Sequence, residues 1–277
     1  MRLFVANKPA GMSSNHFLSR LKRKYGVKKA GFSGTLDPFA SGCLVVAFGN
    51  YSKFFRFLDL TPKVYVATLW LGARSESLDN ENIDEVLSLP PFESKTIEKI
   101  VDELKGTLTY TPPKFSAKKI NGVRAYKLAR AGEEFELKET TMEIFDSEVL
   151  HYRHPFLTLR LSVSKGAYIR SYAQLFSEKL GVSITLSALH REGEGKFKYE
   201  NEKALNPLEY LNLKENEYLG NLEDIRLGKK LNLKDFKNQN DGEYILNLEN
   251  LYSIIEIKDG AVSYLWNRIE VWKVMQN

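Results

Sequence analysis

The chain has 277 residues, 43% of them hydrophobic and 27% charged, with a formal net charge of +5. That length allows one large domain, or one with a smaller appendage, and carries enough apolar mass for a core. A single cysteine, Cys43, excludes an intrachain disulfide and a cysteine metal cluster and fits a reducing compartment, while the basic balance admits a polyanionic partner without requiring one.

In chain order, residues 2–7 read as a short strand. The apolar run LFVA before Lys8 is too short for a signal peptide or a membrane span, so the expectation is a cytosolic protein with no membrane part. SSNHFLSRLKRKYG reads as a helix: Ser13 or Ser14 can cap it, Phe17, Leu18, Leu21 and Tyr25 form its apolar stripe, and Gly26 can end it. Its second half is crowded with Arg20, Lys22, Arg23 and Lys24, either a solvated, dipole-matched helix end or a face for phosphates. CLVVAFG and VYVATLWLG are β-branched or apolar runs that suit central strands. SKTIEKIVDELKG is an amphipathic helix with Ile97, Ile100, Val101 and Leu104 on one face.

Residues 111–138 open on two prolines and interleave Lys114, Lys118, Lys119, Arg124, Lys127 and Arg130 with Phe115 and Tyr126. Such an insertion suits a nucleic-acid contact surface, where cations meet phosphates and rings stack on unpaired bases. It equally suits an exposed excursion pinned by its aromatics. FLTLRLSVS alternates as a strand, and SYAQLFSEKLG follows it as a helix with Ser171 as candidate cap. Near the end, SIIEIKDGAVSYLW reads as a hairpin turning at Asp259-Gly260. The pattern predicts an α+β fold around a mixed or antiparallel sheet over 1–212, with a small, mostly β appendage over 213–277.

The candidate chemistry is narrow. His151 and His154 have no cysteine or HExxH pattern near them, so no metal site is expected, and no phosphate-cradling glycine motif or GxSxG is present. Between Met1 and Leu58 ten residues are basic and one, Asp37, is acidic, inside GTLDPFASG. An aspartate before proline is commonly a turn residue or cap. One held rigidly among cations should stay ionised and can act as nucleophile or base. Arg170, at the start of the predicted helix, is disfavoured there by the dipole and calls for a carboxylate or phosphate partner; pairing it with Asp37 would account for both residues.

The ordered motifs NKPAGMSS (7–14), AGFSGTLDPFASGCL (30–44), KVYVATLWLGARSESLD (63–79), PPKFSAKKINGVRAYKLARAG (112–132), SKGAYIRSYAQLF (164–176) and LHREGEGKF (189–197) together resemble the TruB-type pseudouridine synthases, which act on uridine 55 in the T-loop of transfer RNA. The resemblance implies an isomerase that needs no cofactor, with tRNA as partner and a monomeric, cytoplasmic chain. It implies Asp37 as the catalytic aspartate, Arg170 as its ion-pair partner, and Tyr65 as the ring that stacks on the flipped base and a candidate proton acceptor. Lys8, Tyr168 and Leu189 would line the pocket. Phe32, Phe115, Lys118, Lys119 and Arg191 would meet the RNA, and the C-terminal appendage would be PUA-like. Phe32 stands where the family usually has histidine, Phe115 where tyrosine is usual, Glu76 for an aspartate, and His190 for the first arginine of a late LRR pattern. Two other readings compete: an RNA-binding protein without catalysis, and a glycosidase-like hydrolase, which would need two carboxylates in one cleft with Arg170 elsewhere.

Overall fold

In a computed structural model of the chain, the described residues are 1–116, 118–249 and 251–270, so residue 117 of the insertion and residues 271–277 of the appendage lie outside them. The strands are β1 (Arg2–Lys8), β2 (Ala30–Phe32), β3 (Ser41–Phe48), β4 (Lys63–Leu71), β5 (Ala73–Ser75), β6 (Ile83–Val86), β7 (Gly106–Tyr110), β8 (Lys119–Ile120), β9 (Val123–Arg124), β10 (Thr140–Arg153), β11 (Phe156–Val163), β12 (Ile184–Glu194), β13 (Phe197–Lys198), β14 (Lys214–Glu215), β15 (Gly242–Asn247), β16 (Tyr252–Lys258) and β17 (Ala261–Ile269). The helices are α1 (Ser14–Lys24), α2 (Ser94–Glu103), α3 (Ala125–Arg130), α4 (Ile169–Leu180) and α5 (Leu222–Leu227).

The fold is α+β, as expected. The main sheet runs β1-β3-β12-β4-β11-β10-β7. From β12 to β7 neighbouring strands are antiparallel, whereas β12 lies parallel to β3, pairing His190 with Ser41 and Arg191 with Gly42. Gly42 has φ +108, and a Cβ there would sit 2.3 Å from the Arg191 carbonyl oxygen, so only glycine permits this approach. The alternation read in β11 holds: Leu157, Leu159, Leu161 and Val163 are all buried. They pack with Ile97, Ile100 and Val101 of α2 and Tyr172 and Phe176 of α4 in one core that also takes in Leu36, Phe39, Tyr65 and Leu189.

Helix α1 is capped by Ser13, whose side chain accepts from the His16 amide, and buries Phe17 and Leu21. Helix α4 departs from the expectation. It starts at Ile169, Tyr168 occupies the N-cap position, and Ser171 lies inside the first turn with its side chain buried. Arg170 is therefore a first-turn residue turned into the protein, 3% exposed, rather than the residue ahead of the helix. The insertion contains a two-residue hairpin, β8–β9, turning at Asn121 (φ 48) and Gly122 (φ 85), followed by α3. Asn-Gly between two β-branched residues is the sequence signal for such a turn.

The chain forms two compact units: Val5–Val46 with Leu60–Lys203, and Met1–Phe4 with Ala47–Asp59 and everything from Ala204. In the second unit, β14-β15-β16-β17 form a sheet over a core of Ile225, Leu231, Phe236, Tyr244, Leu246, Ile255 and Ile257. Its hairpin turns at Asp259 (φ 49) and Gly260 (φ 77), as read. Phe54 of the Gly49–Arg56 3-10 turn packs on Trp266 at 4.6 Å. The candidate site belongs wholly to the first unit.

Candidate active site

Asp37 sits on a loop, residues 33–40, that has no regular structure of its own and is held at nearly every step. The Ser33 amide donates to Val45 O (3.0 Å), Arg191 Nη2 donates to Gly34 O (3.0 Å), and the Asp37 carbonyl accepts from the Ala40 amide (3.1 Å). Ser14, the first residue of α1, donates to Leu36 O through Oγ and accepts from Leu36 N, both at 2.9 Å. The Pro38 carbonyl takes the Gly11 amide at 2.8 Å. Beneath it Lys8, with no exposed surface, donates from Nζ to Met12 O (2.7 Å) and Pro9 O (2.9 Å) and reaches Pro38 O at 3.5 Å. A loop fixed this way presents one rotamer-limited side chain instead of an ensemble.

That side chain meets Arg170. Asp37 Oδ2 lies 2.9 Å from Arg170 Nη2, with the aspartate side chain 34% exposed and the arginine 3%. Arg170 does more than neutralise it. Nη2 also donates to Phe115 O (2.9 Å), and Nη1 donates to Ser77 O (2.9 Å) and lies 3.5 Å from Asp79 Oδ2. One guanidinium thus joins the Asp37 loop, the turn between β5 and β6, and the insertion. Its fixed fork of donors is what makes three attachments possible; a lysine could not match them. Asp79 is itself constrained, accepting from Ser77 Oγ (2.6 Å) and the Glu81 amide (3.1 Å).

These groups open on a cleft of about 480 Å³ lined by Asp37, Asp79 and Arg170, by Asn15 at the start of α1, and by Phe115, Arg124, Tyr126 and Arg130 of the insertion. Its lining carries three acidic residues, Asp37, Asp79 and Glu81, but Arg170 is in the cleft and pairs with Asp37 and Asp79, so the condition for the glycosidase reading, Arg170 elsewhere, is not met.

The remaining sequence candidates fall into three groups. Tyr65, Leu189 and Arg191 are brought behind the Asp37 loop, at 6%, 7% and 0% exposure. Tyr168 caps α4, its ring centroid 6.3 Å from that of Tyr110. Phe32 is half-buried on β2, and Phe115 is half-buried at the cleft. Lys118 and Lys119 lie at the insertion hairpin outside the cleft lining, with no carboxylate partner among the described residues. Sequence reasoning missed Glu194, fully buried, whose Oε1 takes Arg191 Nη2 (2.8 Å) and Ser33 Oγ (2.8 Å), and it did not give Asp79 its place on Arg170.

The electrostatics of Asp37 are set by opposing influences. Burial on the cleft floor pushes the Asp37 carboxyl above the usual carboxylate range; Arg170 pulls it back, Asp79 pushes it further up, and Lys8 pulls it down. Counting cations along the chain had suggested a plainly ionised aspartate. In space, Lys8 is the one of the ten basic residues flanking it in sequence that stands among its largest influences, and a second carboxylate opposes. Burial also pushes the Lys8 ammonium down from 10.5 to about 8, against the pull of Asp37. The Tyr168 phenol is pushed up, first by burial.

Residues 22–169 match the N-terminal domain of the TruB family pseudouridylate synthases. A Campylobacter concisus protein named tRNA pseudouridine synthase B is 62% identical over 268 residues, covering 97% of this chain and 98% of that protein. A Campylobacter jejuni protein of the same name is 52% identical over 269 residues, covering 97% and 98%. Among solved structures, a Cbf5–Nop10–Gar1 complex aligns with TM-score 0.66 over 98% of this chain and 84% of that chain at 19% identity, a likeness of fold. The chain belongs to the TruB family of pseudouridylate synthases.

Proposed function

We propose that the protein isomerises uridine 55 in the T-loop of tRNA to pseudouridine, with Asp37 as the catalytic aspartate. The observation that carries the reading is the Asp37–Arg170 ion pair of 2.9 Å at an open cleft, in a chain of this family. The reaction breaks N1–C1′, turns the uracil, and forms C5–C1′; the proton on C5 leaves and N1 regains one, so no redox partner or energy source enters. Asp37 attacks the ribose or the uracil ring, Tyr65 offers the base a ring and a proton acceptor, and Arg170 holds the carboxylate in place.

A base inside folded RNA must be flipped out to be reached, at a cost of a few kcal/mol. Stacking returns about 1–3 kcal/mol per base, and phosphate contacts supply the rest. The distribution of paired cations supports this. Arg20, Lys22, Arg23 and Lys28 on and after α1, and Lys114, Lys118, Lys119 and Lys127 on the insertion, have no carboxylate partner among the described residues. Away from the cleft, Arg74, Lys99, Lys105, Arg160 and Lys179 all do. The cations on α1 and the insertion are available to pair RNA phosphates. In this reading the protein works as a cytoplasmic monomer, and the segment 213–277 is a small appendage that adds RNA contacts.

The test is single-turnover tritium release from an unmodified tRNA transcript labelled at uracil C5, with wild type and Asp37→Asn side by side. Release of one label per tRNA by wild type, and none by the variant with tRNA binding kept, is expected. Tight binding with no release from either would make the chain an RNA-binding protein on this scaffold.

A further inference from the structure

Arg191 and Glu194 lie at 0% exposure, so neither side chain can reach an RNA phosphate. A buried ion pair is a weak source of stability and is often replaceable by apolar residues without loss. Its contacts here are more informative than its energy. Arg191 Nε donates to Cys43 O (2.8 Å), Nη2 donates to Gly34 O (3.0 Å) and to Glu194 Oε1, and Nη1 lies 3.5 Å from the Tyr65 hydroxyl. Glu194 Oε1 holds Ser33 Oγ, while Oε2, which has no hydrogen bond among the described residues, lies 3.3 Å from Lys63 Nζ. The β12–β4 register sets Arg191 opposite Tyr65.

We propose that Arg191 and Glu194 are positioning residues for the isomerisation: as one rigid unit they fix the loop that carries Asp37 relative to the hydroxyl of Tyr65. Arg191 touches both. It reaches Gly34, three residues before Asp37, and the phenol on the neighbouring strand. Glu194 locks the guanidinium from behind and ties Ser33 into the same frame. This rests on the reading that Asp37 and Tyr65 carry the chemistry. It also replaces the expectation that Arg191 binds substrate.

The consequence is a split between chemistry and binding. A small misplacement of reacting groups costs on the order of 100-fold in rate without touching affinity. The experiment compares wild type, Arg191→Met, Arg191→Lys and Ser33→Ala for the single-turnover rate at saturating enzyme, tRNA affinity and thermal midpoint. Arg191→Met should lower the saturated rate by about 100-fold with the dissociation constant within about twofold of wild type. Arg191→Lys, which keeps the charge but can serve only one of the two contacts, should recover part of that loss. Ser33→Ala, which removes a single hydroxyl and leaves the ion pair, should cost several-fold in rate and nothing in binding; it keeps the test valid if the arginine variants fold poorly. In a Tyr65→Phe background the Arg191 effect should shrink. Weakened tRNA binding with an unchanged saturated rate would return Arg191 to the RNA surface and overturn the proposal. So would full-rate Ser33→Ala and Arg191→Lys with only the thermal midpoint lowered, which would mark the pair as scaffold. A wild type that releases no tritium would instead remove the reading of Asp37, and this inference with it.

Discussion

The two buried arginines divide the site into a floor and a backing layer. On the floor, Arg170 faces two carboxylates, Asp37 and Asp79, and the cluster opens on the cleft. In the layer behind, Glu194 faces two cations, Arg191 and Lys63, and the cluster is closed, with exposures of 0%, 0% and 13%. The floor carries an excess negative charge and an exposed reactive atom; the backing carries an excess positive charge and no exposed atom of consequence. The difference shows why Asp37 titrates high while its surroundings stay fixed. Repulsion and burial act on the group that must react, and buried hydrogen bonds and ion pairs act on the frame that must not move.

The strongest way to break this division is Arg170→Ala. It leaves two carboxylates facing each other and cuts the link among the Asp37 loop, the Ser77 turn and the insertion. Removing one partner of a buried pair typically costs about 3–5 kcal/mol, and turnover should fall on the order of 1000-fold as charge stabilisation and orientation are lost together. Urea unfolding and single-turnover rates measure both; unimpaired turnover would mean that Arg170 is not the partner Asp37 needs. Asp79→Asn is gentler. It should lower turnover by about 10-fold through looser placement of Arg170, and it should move the acid limb of the rate. The sign is fixed by the charges. Turnover needs ionised Asp37, so it is lost as pH falls through a raised carboxyl value. Asp79 contributes to that rise, so removing its charge should carry the limb to lower pH. A limb that stays put would show that another group sets it.

How much of this was legible in the sequence depends on the distance over which each contact acts. Helix α1 with its Ser13 cap, the alternation of β11 and the turn at Asp259-Gly260 are local patterns, and they folded as read. The Asp37–Arg170 pair was legible for a different reason. Each residue was out of place alone, a lone acid among cations and a cation at a helix start. Asp79 and Glu194 carried no such signal. ESLD and REGEG look like solvated acidic stretches, and their role comes from partners far away in the chain, Arg170 for Asp79 and Ser33, 161 residues off, for Glu194. The start of α4 was misplaced because Ser171 is a better cap by type than Tyr168, yet the helix gains more by turning Arg170 inward onto two carboxylates.

The rim offers a smaller effect that sharpens the same contrast, because Lys118 and Lys119 have no carboxylate partner among the described residues, whereas the cations of the backing are held by Glu194. Replacing Lys118 and Lys119 together with Ala should weaken tRNA binding several-fold. It should also flatten the dependence of log affinity on log salt by about 1–2, since each phosphate contact contributes a little under one to that slope. The rate at saturation should stay as it is, opposite to the signature expected of Arg191. An unchanged salt slope would mean that the insertion does not meet phosphates.

An effect on stability, rather than on turnover or binding, belongs to Lys8, which lies beneath the floor. Its ammonium is held by the Pro9 and Met12 carbonyls and reaches that of Pro38, yet burial lowers it to about 8 from 10.5. Below pH 8 both the folded and the unfolded chain carry the proton, and the fold bears the whole cost of the buried charge. Between about 8 and 10.5 the unfolded chain still holds a proton that the folded chain has lost, so this residue alone makes stability rise with pH across that window. Lys8→Met has no proton to lose. Wild-type stability minus that of the variant, followed by urea unfolding from pH 7 to 11, should therefore climb through the window and level off above it. A flat difference would mean that the three carbonyls and Asp37 hold the ammonium charged throughout. Lys8 would then belong with the closed backing rather than with the titrating floor.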